Sequence, residues 1–161
     1  MKPRSSDAGA SGREVCAMSN PTEREIVVGV DGSSSSKSAL QWAVGQAALT
    51  GARVRAVVAW EFPAFYSWEG GPMPPEEFEQ TARKGLNDVV DEVERETEQP
   101  VRIDREIMHG HSAQVLLDAA RHAELLVVGS RGHGSFYGVL LGSVSQRCAQ
   151  HAECPVVIVR A

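Results

Sequence analysis

Short β-branched runs alternate with stretches of helical spacing along most of this chain. Glu25 to Val30 (EIVVGV) is an apolar run that stops at Asp31-Gly32, which predicts a buried strand and a turn. Ser33 to Ser36 offer helix-capping hydroxyls, and Ala39, Leu40, Ala43, Val44, Ala47 and Ala48 then recur at helical spacing. Gly51 suits the residue that closes such a helix. Ala52 to Trp60 (ARVRAVVAW) predicts a second strand and completes a βαβ unit. Glu61 to Pro75 has no period and is rich in Pro, Gly and aromatic residues, so a long mobile loop is expected.

Glu76 to Glu98 predicts a charged amphipathic helix whose inner stripe is Phe78, Leu86, Val89, Val90 and Val93. Val101 to Met108 alternates apolar and charged residues, as a strand with one wet face does. Ser112 is expected to cap a short helix through His122, with Val115, Leu116 and Ala119 inward. Ala123 to Ser130 predicts a fourth strand, Ser143 to about His151 a last helix, and Pro155 to Arg160 (PVVIVR) a fifth strand. The order β-α-β-α-β-α-β-loop-α-β predicts an α/β fold. It is a single open five-stranded parallel sheet with helices on both faces, Rossmann-like.

Ligands of such sheets sit beyond the carboxyl ends of the strands, where strand order reverses. Asp31, Ala59-Trp60, Gly110 and Gly129 all lie at those ends. Gly129-Ser-Arg-Gly-His-Gly-Ser-Phe-Tyr-Gly-Val-Leu-Leu-Gly-Ser143 follows the fourth strand directly and leads into the last helix. Glycine there lets the backbone approach a ligand closely. A helix starting at Ser143-Val144-Ser145 points free N–H groups and a positive dipole end at an anion. Strand, glycine loop and helix start describe a phosphate cradle.

Composition narrows the partners. The chain has 161 residues, enough for one full-sized domain, and a net charge of −5. That balance argues against nucleic acid or an anionic membrane surface as partner. No apolar run approaches the roughly 20 residues that span a bilayer. Residues 1–23 are expected to form a disordered tail, with the domain proper over 24–161. Met1 to Asn20 lacks a hydrophobic signal region, and Met18 is an alternative start. Three cysteines, Cys16, Cys148 and Cys154, form no dense disulfide framework, so a reducing cytoplasm is the expectation.

The spacing Gly129-x2-Gly132-x9-Gly142-Ser143 resembles the ATP-binding motif of the universal stress protein family. The resemblance runs from Glu25 to Arg160. It includes the opening Val28-Gly29-Val30-Asp31-Gly32-Ser33, the later Leu141-Gly-Ser-Val-Ser-Gln and the final Cys-Pro-Val-Val-Ile-Val159. It implies an adenine nucleotide alpha-hydrolase-like fold and the branch that binds ATP, with Mg²⁺. Carried over by position, Gly29 and Asp31 would lie at the nucleoside and Ala59 at the adenine edge. Gly129 and Gly132 would let the loop pass close to ribose and phosphates, with Val128 before them also in the nucleotide site. Gly142, Ser143, Val144 and Ser145 would hold phosphate through N–H and hydroxyl groups. The resemblance also implies a homodimer through the C-terminal strand, Val156 to Arg160. An unpaired β-branched edge strand points the same way.

Other features weigh less. Arg131 either forks onto phosphate or is a solvated loop side chain, and His133 reads as solvated. Cys148, His151 and Cys154 are spaced in threes but lack a clear fourth metal ligand, so they read as packing residues. Trp60, Phe62, Phe65, Tyr66 and Trp68 suit a lid over the adenine, a partner patch or plain packing. The acidic run Glu92, Glu94, Glu96 and Glu98 reads as a solvated helix end. Lysine occurs only at positions 2, 37 and 84, never after glycine, so there is no Walker loop. With no legible nucleophile or metal carboxylates, binding without fast turnover is expected. ATP would order Arg131 to Leu141 and alter recognition by protein partners. A slow ATPase and a nucleotide-independent adaptor are the alternatives. A carboxylate placed by Gly129→Glu or Gly142→Glu would occupy the phosphate position.

Overall fold

Val27 and Val28 are fully buried, because their strand is hydrogen-bonded on both edges and covered on both faces. The computed structural model describes residues 24–62, 74–133 and 140–161. Strand β1 (Glu25–Gly29) is central, and Val28 pairs with Ala56 of β2 (Arg53–Trp60) and with Val127 of β4 (Leu125–Gly129). Beyond β2 lies β3 (Ile103–His109), and beyond β4 lies β5 (Val156–Val159). All pairs are parallel in the order β3-β2-β1-β4-β5, so strand order reverses at β1 and β4. This is the expected five-stranded open sheet.

Helix α1 (Ser34–Thr50) begins at Ser33, whose side chain accepts the Ser36 N–H, and ends at Gly51 with φ +74°. The left-handed geometry costs glycine nothing. Ala39, Leu40, Ala43, Val44 and Ala47 bury the expected stripe of α1. Helix α2 (Pro75–Glu96) starts one residue earlier than expected, with proline where a helix needs no N–H. Leu86, Val90 and Val93 complete its core face, while Phe78 and Val89 stay half-buried. α1 and α2 share one core; α3 (Ser112–Ala119) and α4 (Ser143–His151) share a second, on the opposite face.

Two expectations for α3 need correction. His111 occupies the N-cap position without a side-chain hydrogen bond, and Ser112 is the first helical residue. The helix stops at Ala119 rather than His122. The chain turns there, with the N–H of Arg121 donating to Asp118 O and that of Ala123 to Ala120 O. Several strand ends are a residue or two shorter than expected. Their backbone pairing continues past the bounds, as where the Val30 N–H donates to Val57 O at 2.8 Å.

Candidate functional site

The carboxyl ends of β1 and β4 frame a cavity of ≈ 500 Å³. That lies within the range of about 300–1,000 Å³ usual for small-molecule sites. It is walled by the first turns of α3 and α4 and by the segments that leave β1 and β4. All eleven residues named from the motif, Gly29, Asp31, Ala59, Val128, Gly129, Arg131, Gly132, Gly142, Ser143, Val144 and Ser145, line it.

Its lining is chemically mixed. Val57, Ala59, Leu116 and Val128 give it apolar surface, and Val144 in the first turn of α4 packs against the same cluster. Helix α4 starts there at Gly142, which brings no side chain to cap it. The first intrahelical bond runs from the Gln146 N–H to Gly142 O at 2.9 Å. The N–H groups of Ser143, Val144 and Ser145 therefore lack intrahelical acceptors, and the positive end of the helix dipole meets the cavity. The Arg131 side chain is exposed beside them, without an ion-pair partner among the described residues.

The loop between β4 and α4 is fastened at both ends. Ser130 O accepts from the Gly142 N–H at 2.7 Å and from the Ser145 hydroxyl at 3.1 Å. Ser145 is buried and also reaches Gly142 O at 2.9 Å, so its single hydroxyl proton is engaged within the protein. Only its N–H is left to offer a ligand, in contrast to the hydroxyl role expected from the motif. At the start of the loop, the buried Ser35 hydroxyl donates to Arg131 O.

Gly129 has a packing reason to be glycine in addition to the one expected. A Cβ there would stand 2.8 Å from Ser35 C and 2.9 Å from Ser36 N, backbone atoms of the first turn of α1. The close approach is to α1. A Gly129→Glu substitution would disrupt that packing before it tested any ligand, which leaves Gly142→Glu as the informative variant. A Cβ on Gly132 would instead stand 2.5 Å from Asp31 Oδ2.

Asp31 closes the turn after β1. Its Oδ1 accepts the Ser33 N–H at 2.9 Å and the Ser33 hydroxyl at 2.5 Å. Partial burial pushes the carboxyl up. The Ser33 hydroxyl and N–H bonds outweigh it, helped by the Ser36 hydroxyl and the nearby His133 imidazole, and hold the carboxyl below its ordinary value. Asp31 is thus an anion with one oxygen committed and Oδ2 turned to the Gly132 side.

Among the described residues no group of three or more His, Cys, Asp or Glu could hold a metal ion. Cys148 is buried, and desolvation with Cys154 nearby pushes its thiol up to about 11. Trp60 packs edge-on to His109 with ring centroids 4.6 Å apart, and Phe62 meets Phe78 at 5.4 Å. Phe65, Tyr66 and Trp68, most of the expected loop, the N-terminal tail and residues 134–139 lie outside the described residues.

A match to the universal stress protein family spans residues 23–160. The chain belongs to this family. A universal stress protein of Mycolicibacterium smegmatis is 36% identical over 140 residues, covering 84% of this chain and 45% of that relative. The chain spans about half the length of the curated relatives it matches. A solved universal stress protein in complex with cAMP is 28% identical with a TM-score of 0.58, covering 84% of this chain and 95% of that one. The universal stress protein of Archaeoglobus fulgidus in complex with dAMP is 22% identical with a TM-score of 0.62, covering 84% and 97%, and shares the Rossmann-like fold. No helix among the described residues is long and apolar enough to cross a membrane.

The universal stress protein cavity also takes in residues that sequence reasoning passed over. Leu116 forms part of the apolar lining, and a Cβ on Gly29 would come within 2.7 Å of its Cδ1. His133, read as solvated, is exposed but lines the wall beside Asp31. Ser36, Ser112 and Leu141 join them. Leu116 carried a signal as an inward position of α3 close to its first turn, and His133 and Leu141 carried one by lying within the glycine stretch.

Proposed function

We propose that this universal stress protein binds ATP at the ends of β1 and β4 and acts as a nucleotide-regulated dimer. The observation that carries the reading is the uncapped first turn of α4, which faces a cavity that also has apolar lining. Adenine fits against Val57, Ala59, Leu116 and Val128, and Asp31 Oδ2 is placed to accept a ribose hydroxyl. The N–H groups of Ser143, Val144 and Ser145, with the Arg131 guanidinium, suit a polyphosphate better than a monophosphate. The relative solved with cAMP supports an adenine nucleotide ligand.

Asp31 is the one carboxylate lining the cavity among the described residues, and Ser33 holds one of its oxygens. Mg²⁺ is commonly bound through substrate phosphates and one or two carboxylates, so here it would arrive on the phosphates. With no base aimed at a nucleophile, turnover should stay below about 1 s⁻¹, under the usual enzyme range. Dimerisation would use β5, the outermost strand, and protein partners would read the nucleotide state. The free thiols of Cys148 and Cys154 support a reducing location, the cytoplasm.

The test is to denature the purified protein and identify the nucleotide released. Near-stoichiometric ATP or ADP is expected, and Gly142→Glu should release none while remaining folded. A protein that comes out empty and fails to bind added ATP would overturn the reading and favour the adaptor alternative.

A further inference from the structure

Helix α1 presents a face that the described fold does not use. Lys37 lies 2.8 Å from Glu92 and 3.0 Å from Glu96, and Gln41 lies 2.6 Å from Glu96, which fixes the side of α1 that meets α2. At about 100° per residue, Trp42, Gln46 and Leu49 lie roughly 80–140° around the helix from Gln41. They are on the side away from α2 and toward β5. Trp42 is 39% exposed and Leu49 84%, and only Leu140 joins them among exposed large hydrophobic residues of the described chain.

Gly45 lies between Trp42 and Leu49 in sequence, about 40° around the helix from Gln41 and so on the flank of that arc. A Cβ added there meets no atom of the described residues within 4 Å. Glycine weakens a helix interior, and no packing among the described residues calls for it here. Along the helix axis the face therefore reads as projection, notch, projection. It is also complementary to itself. An antiparallel α1 pair crossing between Gly45 and Gln46 sets each Trp42 opposite the partner's Leu49, as a two-fold interface requires.

We propose that this face of α1 packs against the same face of a second copy of the chain. The proposal rests on the dimer reading above and gives it a contact that β5 alone cannot supply. β5 has four residues. At about 3.3 Å per residue and a layer spacing of about 10 Å, its edge offers roughly 130 Å² per copy. Stable interfaces need about 600–1,000 Å² per copy. Val157 and Val159, on the α1 side of β5, are only half-buried, so apolar surface continues from the strand edge toward α1.

The test is sedimentation equilibrium on wild type, Trp42→Gln/Leu49→Gln, Gly45→Leu and Ile158→Pro. The Leu126 N–H bonds Pro155 O and the Ser130 N–H bonds Val159 O, so Val156 and Ile158 turn their backbone groups outward. Proline at 158 thus removes an edge donor without breaking the sheet. The expected result is a wild-type dimer whose dissociation constant rises about 30-fold or more in both α1 variants. Gly45→Leu should at the same time keep or raise the melting temperature of the monomer, as a helix former replacing glycine does. Unchanged dimer affinity in the α1 variants, with loss in Ile158→Pro, would overturn the α1 contact and leave the β5 dimer standing. Loss in the α1 variants alone would do the reverse. A wild type that is monomeric throughout removes both.

Discussion

Gly129→Ala isolates the packing of β4 against α1. The new methyl would stand 2.8 Å from Ser35 C, 2.9 Å from Ser36 N and 2.5 Å from Ser35 Oγ. Ordinary contact begins near 3.4 Å, so the backbones must part by about half an ångström. Neither can give freely, because Gly129 is paired with Val159 and the first turn of α1 is held by the Ser33 cap. Overpacking of this kind costs about 1–3 kcal/mol. The Ser35 hydroxyl must also swing from Arg131 O, which loses a further ~0.5–1.5 kcal/mol from a buried group. The sum, about 2–4 kcal/mol, corresponds to a melting temperature lower by roughly 4–16 °C for a chain of this size. Differential scanning calorimetry without nucleotide reads it directly. Gly132→Ala is the comparison: among the described residues its methyl meets the end of the Asp31 side chain and no backbone atom, so it should cost less than Gly129→Ala. If Gly129→Ala melts within about 2 °C of wild type, the close approach is not what demands glycine, and the ligand role expected from the motif regains its place.

Asp31, with its carboxyl held below the ordinary value, adds stability that is present at neutral pH and is lost as pH falls through the native-state value. Acid unfolding curves of wild type and Asp31→Asn should therefore run parallel down to about pH 4 and converge below it; curves that stay parallel below that point would contradict the assignment. Leu40→Ala removes a fully buried side chain from the α1 core and should cost about 2–5 kcal/mol in urea titrations. The Cys148 thiol, buried and pushed up to about 11, should resist iodoacetamide at pH 8 while the half-buried Cys154 reacts first, as peptide mass spectrometry would record.

The strands were legible because each is a compact β-branched run bounded by turn residues, and alternation with helices fixed the parallel sheet. The end of α3 was not legible, because no glycine or proline marks the turn at Ala120 to Ala123. Its cap was misassigned to Ser112 because a serine before a helical run looks the same whether it precedes the helix or begins it. At the site, strand ends and glycine spacing pointed to the carboxyl ends of β1 and β4, and the single positions carried over from the family motif all line the cavity there. What the spacing could not convey was which neighbour each glycine serves. Gly129 faces Ser35 and Ser36, residues distant in sequence, and only the fold brings them together. The engaged hydroxyl of Ser145 is likewise a tertiary fact, fixed by Ser130 O.

The placement of β1 at the centre of the sheet has a consequence for synthesis on the ribosome. Its pairing with β2 can form once residue 60 has emerged, but its other edge stays open until β4 arrives at Leu125. At about 5–20 residues per second, the intervening stretch takes roughly 3–13 s to make. For that interval a nascent chain carries the unpaired edge of a strand whose Ile26, Val27 and Val28 are apolar, next to one face of α1 that still lacks β4 and β5. Late pairing of distant strands is also the slow step of such topologies. The nascent chain is therefore most exposed to wrong partners before the segment that builds the cavity has been translated.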